Sequence, residues 1–167
     1  LVPDASNVAV LYCSSESNSK IQAEIAMEES KNLGLNPILT TVSDSNEIQQ
    51  IVQSLVGTVD AIYTPTDNII AEGMPTITSI ANDNGIPVIC GEEGQVDNGG
   101  LATYGIDYYK LGRLTGEQAV RIIEGKAETA TMPIEYIPDE EYTLKINEEV
   151  AAKLGITIPE ELAAKTE

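Results

Sequence analysis

Short apolar runs alternate with helix-length amphipathic stretches along most of the chain. Residues 8–12 (VAVLY) predict a buried strand, and residues 17–33 a helix that stops at Gly34. Residues 36–42 (NPILTTV) predict a second strand and 46–56 a second helix. In that helix Ile48, Ile51, Val52, Leu55 and Val56 share one stripe. Asp44, with Glu47 three residues on, is a carboxylate version of the capping box. A third strand is expected over 59–64, followed by a helix over 68–84. Pro75 must either restart that helix or kink it, because it lacks the N–H that the preceding turn expects.

Strands four and five are expected over 87–90 and 101–106. A helix over 108–124 carries Leu111, Leu114, Gln118 and Ile122 along one side. Glycine follows each helix, at 34, 57, 85, 125 and 155, as a left-handed stop. Strands alternating with helices, without hairpin signals, predict an α/β three-layer sandwich. Its sheet is mostly parallel, doubly wound and covered on both faces. The end of the chain is less regular. Residues 132–137 (MPIEYI) and 142–146 (YTLKI) read as short edge strands and 147–154 as a short helix. A Pro-interrupted acidic tail, expected to fray, follows.

At 167 residues the chain can bury a core of its own. Its 27 acidic and 9 basic residues leave a net charge of −18, which repels phosphate backbones and argues against nucleic acid as a partner. There is no histidine, so Ser-His-Asp and Cys-His machinery are excluded. Cys13 and Cys90 cannot build a cysteine zinc site by themselves, and each sits at the end of an apolar run as a small buried hydrophobe. No metal, cofactor or catalytic residue is expected. The start, Leu1-Val2-Pro3-Asp4, has no initiator methionine or signal-peptide core and reads as a mature or excised chain.

Candidate chemistry collects where a parallel α/β sheet binds its ligands, outside the carboxyl ends of the strands. The stretch DAIYTPTDN, residues 60–68, begins as a buried strand and ends on Thr66, Asp67 and Asn68. Strand one ends in Cys13-Ser14-Ser15-Glu16-Ser17-Asn18-Ser19, strand four in Gly91-Glu92-Glu93-Gly94, and strand five in Asp107-Tyr108-Tyr109. Each has an ordinary alternative. Ser17, Asn18 and Asn68 are good helix caps, Asp67 favours a helix start, and Tyr108 and Tyr109 can pack. Taken together, the hydroxyls and amides of Ser14, Ser15, Ser17 and Asn18 suit a carboxylate at a helix N-terminus. Asp67 suits an ammonium. Such a rim fits a small zwitterion. No nucleotide-binding glycine loop is present.

The blocks VAVLYCSSESNS, EIQQIVQSLVGTVDAIYTPTDN, NGIPVICGEEG, GGLATYGIDYYKLGRLTGEQAVRIIEGKAE and INEEVAAKLGITIPEEL together give a resemblance. The chain resembles the later portion of the ABC transporter substrate-binding proteins of tryptophan/tyrosine type, which have a type I periplasmic-binding fold. The resemblance implies one lobe of a two-lobed solute receptor, non-enzymatic, closing by a hinge over a small zwitterionic ligand such as an amino acid, aromatic ones included. It carries ligand roles to Ser14, Ser15, Ser17, Asn18, Thr66, Asp67, Asn68 and Asp107, with Tyr108 beside it, and a weaker one to Glu92. It further implies an ABC permease as partner, an extracellular or periplasmic location, and a lipoprotein anchor on the full-length protein.

In that scheme residues 1–106 are the C-terminal lobe. Residues 107–125 are a helix that belongs to the missing N-terminal lobe or is swapped, and 126–167 are the return strands, short helix and acidic tail. The apolar stripe of the 108–124 helix then needs a new partner, either its own lobe or another copy in a homodimer. A ligand-sensing regulatory or receptor domain on the same fold is the alternative reading, and a small-molecule hydrolase a third.

Overall fold

The structure is a computed structural model and describes residues 1–165. Five strands run parallel, β1 (Asn7–Cys13), β2 (Asn36–Val42), β3 (Ala61–Thr64), β4 (Val88–Cys90) and β5 (Ala102–Gly105), and β6 (Thr143–Ile146) closes the edge antiparallel to β5. The order is β2-β1-β3-β4-β5-β6. The expected mostly parallel, doubly wound α/β architecture is therefore present.

Side-chain alternation along the strands divides the core in two. Ala9, Leu11, Cys13, Ile62, Val88 and Cys90 face α2 (Ile48–Leu55), α3 (Asn68–Asp83) and α4 (Glu93–Asp97). Those helices contribute Ile48, Val52, Leu55, Ile70, Met74, Ile77, Ala81 and Val96, which form the main hydrophobic cluster. On the opposite face Val10, Tyr12 and Tyr63 meet α1 (Ser17–Asn32) through Ala23, Ala26 and Met27. The two faces are unequally covered, three helices against one. Pro75 lies inside α3, which runs through it as one element.

Local signals placed most boundaries. Asp44 accepts from Asn46 N at 2.8 Å to cap the 3-10 turn Ser45–Glu47, while Glu47 reaches back to Ser43 N at 2.7 Å. The five helix-stop glycines all have positive φ, between 69° and 80°. Asp60, ahead of β3, accepts from Ser6 N at 2.9 Å and Asn7 N at 2.7 Å, so it ties the starts of β1 and β3 together. These backbone donors hold its carboxyl below the usual carboxylate value.

Two sequence expectations are corrected. Residues 132–137 form no strand: Arg121 pairs with Glu135 and draws the segment against α5 (Tyr108–Ile123) instead of into the sheet. Residues 93–97 form the helix α4, which the pattern did not predict because one turn between glycines has no readable period. Downstream, α6 (Glu148–Leu154) packs Val150 and Ala151 against Leu101 and Ala102. The short α7 (Glu160–Ala163) follows, and the last two residues of the acidic tail, 166–167, lie outside the described residues.

The helix α5 stands apart. It buries none of its residues, and Ile123 is 83% exposed. Its neighbours are the segments around 129–141, which line grooves with Leu111, Leu114 and Tyr109.

Gly57 isolates the conformational cost of one helix stop, because its φ is 75° and a Cβ there would meet nothing within 4 Å. Gly57→Ala should destabilise the protein by roughly 1–2 kcal/mol through backbone strain alone. In urea denaturation this should appear as a lower midpoint with an unchanged slope.

Candidate functional site

The carboxyl ends of β1, β3, β4 and β5 share one edge of the sheet, and the loops leaving them are built onto each other. Asp67 is the centre of this arrangement. Its Oδ2 accepts from Cys13 N at 2.7 Å, at the end of β1, and its Oδ1 accepts from Ile70 N at 2.9 Å, in the first turn of α3. The side chain is 3% exposed. Asp67 thus caps α3 and latches it to β1, with both oxygens occupied by backbone amides. The role of exposed ammonium acceptor, expected from the sequence, does not fit a carboxylate so enclosed.

Glu16, which the sequence reading passed over, supplies the second carboxylate. Its Oε1 accepts from Asn68 N at 3.1 Å and Ile69 N at 3.2 Å, and its Oε2 from Asn68 Nδ2 at 3.1 Å. Between them Glu16 and Asp67 occupy the first amides of α3, where the helix dipole favours negative charge. The N-terminus of α3 is therefore filled from within the protein.

The N-terminus of α1 is different. No side chain caps it, and among the described residues the amides of Ser17, Asn18 and Ser19 have no partner. Ser17 and Asn18 were candidate caps, but neither serves as one. Asn18 Nδ2 donates across to Thr66 O at 3.0 Å, and Ser14 Oγ to Val42 O at 3.2 Å. Ser14, Ser15, Ser17 and Asn18 are exposed around this uncapped end, while Ser19 is buried. A cluster of unpaired N–H groups with hydroxyls beside it can receive an anion.

Thr66 joins these loops to the next strand. Its N–H donates to Gln22 Oε1 at 3.0 Å and its hydroxyl to Gly91 O at 3.5 Å. The approach is close enough that a Cβ on Gly91 would stand 2.7 Å from Pro65 C and Thr66 N. Gln95, fully buried on α4, completes the support: it donates to Pro65 O at 2.8 Å and accepts from Thr64 Oγ1 at 2.6 Å. Glu92, a candidate ligand residue, instead caps α4 by accepting from Gly94 N at 2.8 Å and Gln95 N at 2.7 Å. No sequence signal pointed to Gln22 or Gln95, since both act through loops that only the fold brings near.

Asp107 and Tyr108 follow β5, the neighbour of β4, at the same end of the sheet. Asp107 caps α5 with Oδ1 alone, accepting from Tyr109 N at 2.7 Å and Lys110 N at 3.1 Å. Its Oδ2 has no partner among the described residues, and the side chain is partly exposed. Thr103 Oγ1 lies 3.6 Å from where a Cβ on Gly105 would stand, and it too is buried and unpartnered. Tyr108 is half exposed. No hydrogen bond ties Asp107 or Tyr108 to the loops at 14–19 or 66–68, so those two clusters share the edge without direct linkage.

Burial pushes the Cys90 thiol up to about 12, so it is not a thiolate nucleophile at neutral pH. Among the described residues no group of acidic or cysteine side chains could hold a metal ion. An open, polar rim at the strand ends of a parallel α/β sheet is a place where small molecules bind.

The family profile described as ABC transporter substrate binding protein matches residues 1–167, and the chain belongs to that family. Its members are binding proteins rather than enzymes. The chain is similar to a tyrosine-binding protein of Clostridioides difficile (strain R20291), with 40% identity over 156 residues, which are 93% of this chain and 44% of that protein. Among solved structures, it is similar to an ABC domain from Streptococcus pneumonia in complex with L-Trp, at 36% identity and a TM-score of 0.91, over 99% of this chain and 55% of the other. A ligand-free, open structure of a substrate-binding protein with adhesive properties from Clostridium difficile matches at 39% identity and a TM-score of 0.76, over 95% and 53%. The chain spans about half the length of the relatives it matches.

The latch at Asp67 gives a direct test of its structural role. Asp67→Ala removes two charge-assisted hydrogen bonds in a buried setting and should cost about 2–4 kcal/mol. Chemical denaturation checks the loss. A variant as stable as the parent protein would show that the latch contributes little.

Proposed function

We propose that this chain supplies most of one lobe of the solute-binding component of an ABC importer, which takes an aromatic L-amino acid between this lobe and a second one and closes over it by a hinge. The observation that carries the reading is the contrast between helix N-termini: α3 and α4 are closed by the protein's own carboxylates, whereas α1, at the strand-end rim, is open. A ligand carboxylate fits there, on the amides of Ser17 and Asn18 and the hydroxyl of Ser17, with Ser14 and Ser15 beside it. The ammonium goes to the free Oδ2 of Asp107, with Tyr108 beside it, and Thr66 and Asn68 line the edge between. Asp67 and Glu92 serve as supports for those loops.

The names of the relatives support an aromatic amino acid, tyrosine in one and L-Trp in another. Hinge closure is supported by a second comparison. The two solved relatives are about equally identical to this chain, yet it superposes better on the L-Trp complex than on the ligand-free open structure. A ligand-linked shift between parts of the molecule would give such a difference. We assign residues 1–106 and 126–167 to this lobe and 107–125 to its neighbour.

No helix among the described residues is long and apolar enough to cross a membrane. We place the full-length protein outside the cytoplasmic membrane, held there by a lipid anchor and handing its ligand to an ABC permease. An acidic surface with a net charge of −18 suits a component that stays in solution around that anchor.

Calorimetry on the full-length protein should show binding of L-tyrosine or L-tryptophan and at least tenfold weaker binding of tyramine or tryptamine, which lack the carboxylate. Asp107→Asn should weaken the amino acid about 10–100-fold, the loss of one charge-assisted hydrogen bond. Residues 1–167 alone should bind weakly, because half a cleft cannot enclose the ligand. Equal affinity for amine and amino acid would overturn the carboxylate site at α1.

A further inference from the structure

One edge of the sheet is β2, and it is open only at its centre. Its even-numbered residues turn their N–H and C=O groups to β1: Asn36 N donates to Ser6 O at 2.7 Å, and Val42 O accepts from Ser14 N at 2.9 Å. Pro37, Leu39, Thr41 and Ser43 therefore turn theirs to the free edge. Pro37 has no N–H to offer, and the Ser43 amide is taken by Glu47 Oε2 at 2.7 Å. Only Leu39 and Thr41, between them, keep both backbone groups open along this edge.

Edge strands are commonly blunted by charge, which deters pairing. Here charge is missing. Between Lys31 and Asp60 the only charged residues are Asp44 and Glu47, and both accept from amides of their own loop, Asn46 N and Ser43 N. Ile38, on the α2 face, is 40% exposed and Leu39, on the α1 face, 49%, so neither face is covered at this edge. Beside Ile38, α2 turns the uncharged Gln49, Gln50 and Gln53 to solvent. The edge is distinct from the apolar groove on the α1 face, which Ile25 and Leu33 line above Ala61, Tyr63 and Ile89; no residue of β2 lines that groove.

We propose that β2 pairs with β2 of a second copy of this chain, antiparallel about a twofold axis at Thr40, so that two sheets become one. In that register Leu39 of each copy exchanges N–H···O=C bonds with Thr41 of the other, and every open group is used. An axis at Leu39 would set Thr41 against Pro37, which has no donor. An axis at Thr41 would set Leu39 against Ser43, whose amide is occupied. The edge is thus self-complementary in one register, as a twofold contact requires. Thr40 then faces Thr40, Ile38 lies beside Val42, and Leu39 beside Thr41. Charge also selects a second copy. Two chains of net charge −18 repel over most of their surfaces, whereas this contact sets no carboxylate against another.

Sedimentation velocity on the full-length, ligand-free protein tests this without reference to the ligand site. It should show a monomer–dimer equilibrium with a dissociation constant on the order of 10 µM, as suits a small interface. Leu39→Pro removes an outward N–H without touching the ladder to β1 and should weaken the dimer at least about tenfold. Thr40→Lys brings two ammonium groups together at the axis and should do the same, which keeps the test intact if proline perturbs the strand. Thr40→Cys should give a disulfide-linked dimer on mild oxidation, because facing residues of such a pair lie about 4.5 Å apart. Thr41→Cys, which faces Leu39, should not, and the native Cys13 and Cys90 are buried. A monomer persisting at ~100 µM, a dimer indifferent to both Leu39→Pro and Thr40→Lys, or equal linkage through Thr41→Cys would overturn the proposal.

Discussion

The rim depends on one buried carboxylate. Asp67 accepts from the last amide of β1, 54 positions earlier in the chain, and from the first turn of α3. A charged group with so little exposure persists only when its oxygens are satisfied, and two short backbone hydrogen bonds do so here. Because the latch fixes the end of β1, it also fixes where α1 can start. Glu16, the residue before α1, is then held by the amides of Asn68 and Ile69 on the other side of the latch. The open N-terminus of α1 follows: its would-be capping carboxylate is drawn away to α3. A site for an anion is made by using the nearest anion elsewhere.

The same economy of position governs the next strand. Gly91 lets the loop after β4 approach the backbone of Pro65 and Thr66 more closely than any side chain would allow. Gln95 bridges Thr64 and Pro65 from beneath. The result is a set of loops held from both sides by buried polar groups, with the exposed Ser17 hydroxyl left free above them. A binding surface whose support is rigid loses less entropy when it takes a ligand. Only Asp107 and Tyr108 escape this support, and they begin the helix that leaves the sheet.

Much of this was legible in the sequence because it was written in local periodicity. The runs 8–12, 36–42 and 59–64 predicted strands, and the stripe of Ile48, Val52 and Leu55 predicted the helix that buries all three. A rule about strand ends likewise predicted that the loops at 14–19 and 66–68 and residue 107 share one edge of the sheet, where they stand. What failed were the distinctions that depend on partners. Asp67 and Asp107 look equivalent in sequence, an aspartate before an amphipathic helix, yet one spends both oxygens and the other only one. The deciding partner of Asp67 is the amide of Cys13, which no local pattern could supply. The stretch 132–137 failed for a related reason: its alternation of apolar and polar positions suits a strand, but Arg121 fixes Glu135 beside α5.

The unequal covering of the two sheet faces is the same kind of fact at larger scale. A helix with Leu111, Leu114 and Ile122 on one side reads as a sheet-packing helix, and in an isolated doubly wound domain it would be one. Here it buries nothing, while the face it would have covered exposes Ile25 and Leu33. Both apolar surfaces lack a partner among the described residues. If α5 were merely misplaced for want of a second lobe, the groove and the α5 stripe would be complementary halves of one interface. No residue of α5 lines the groove, and Arg121, paired with Glu135, holds the helix against the segment that follows it. The two surfaces are therefore separate, and each is an apolar area that water covers only at a cost.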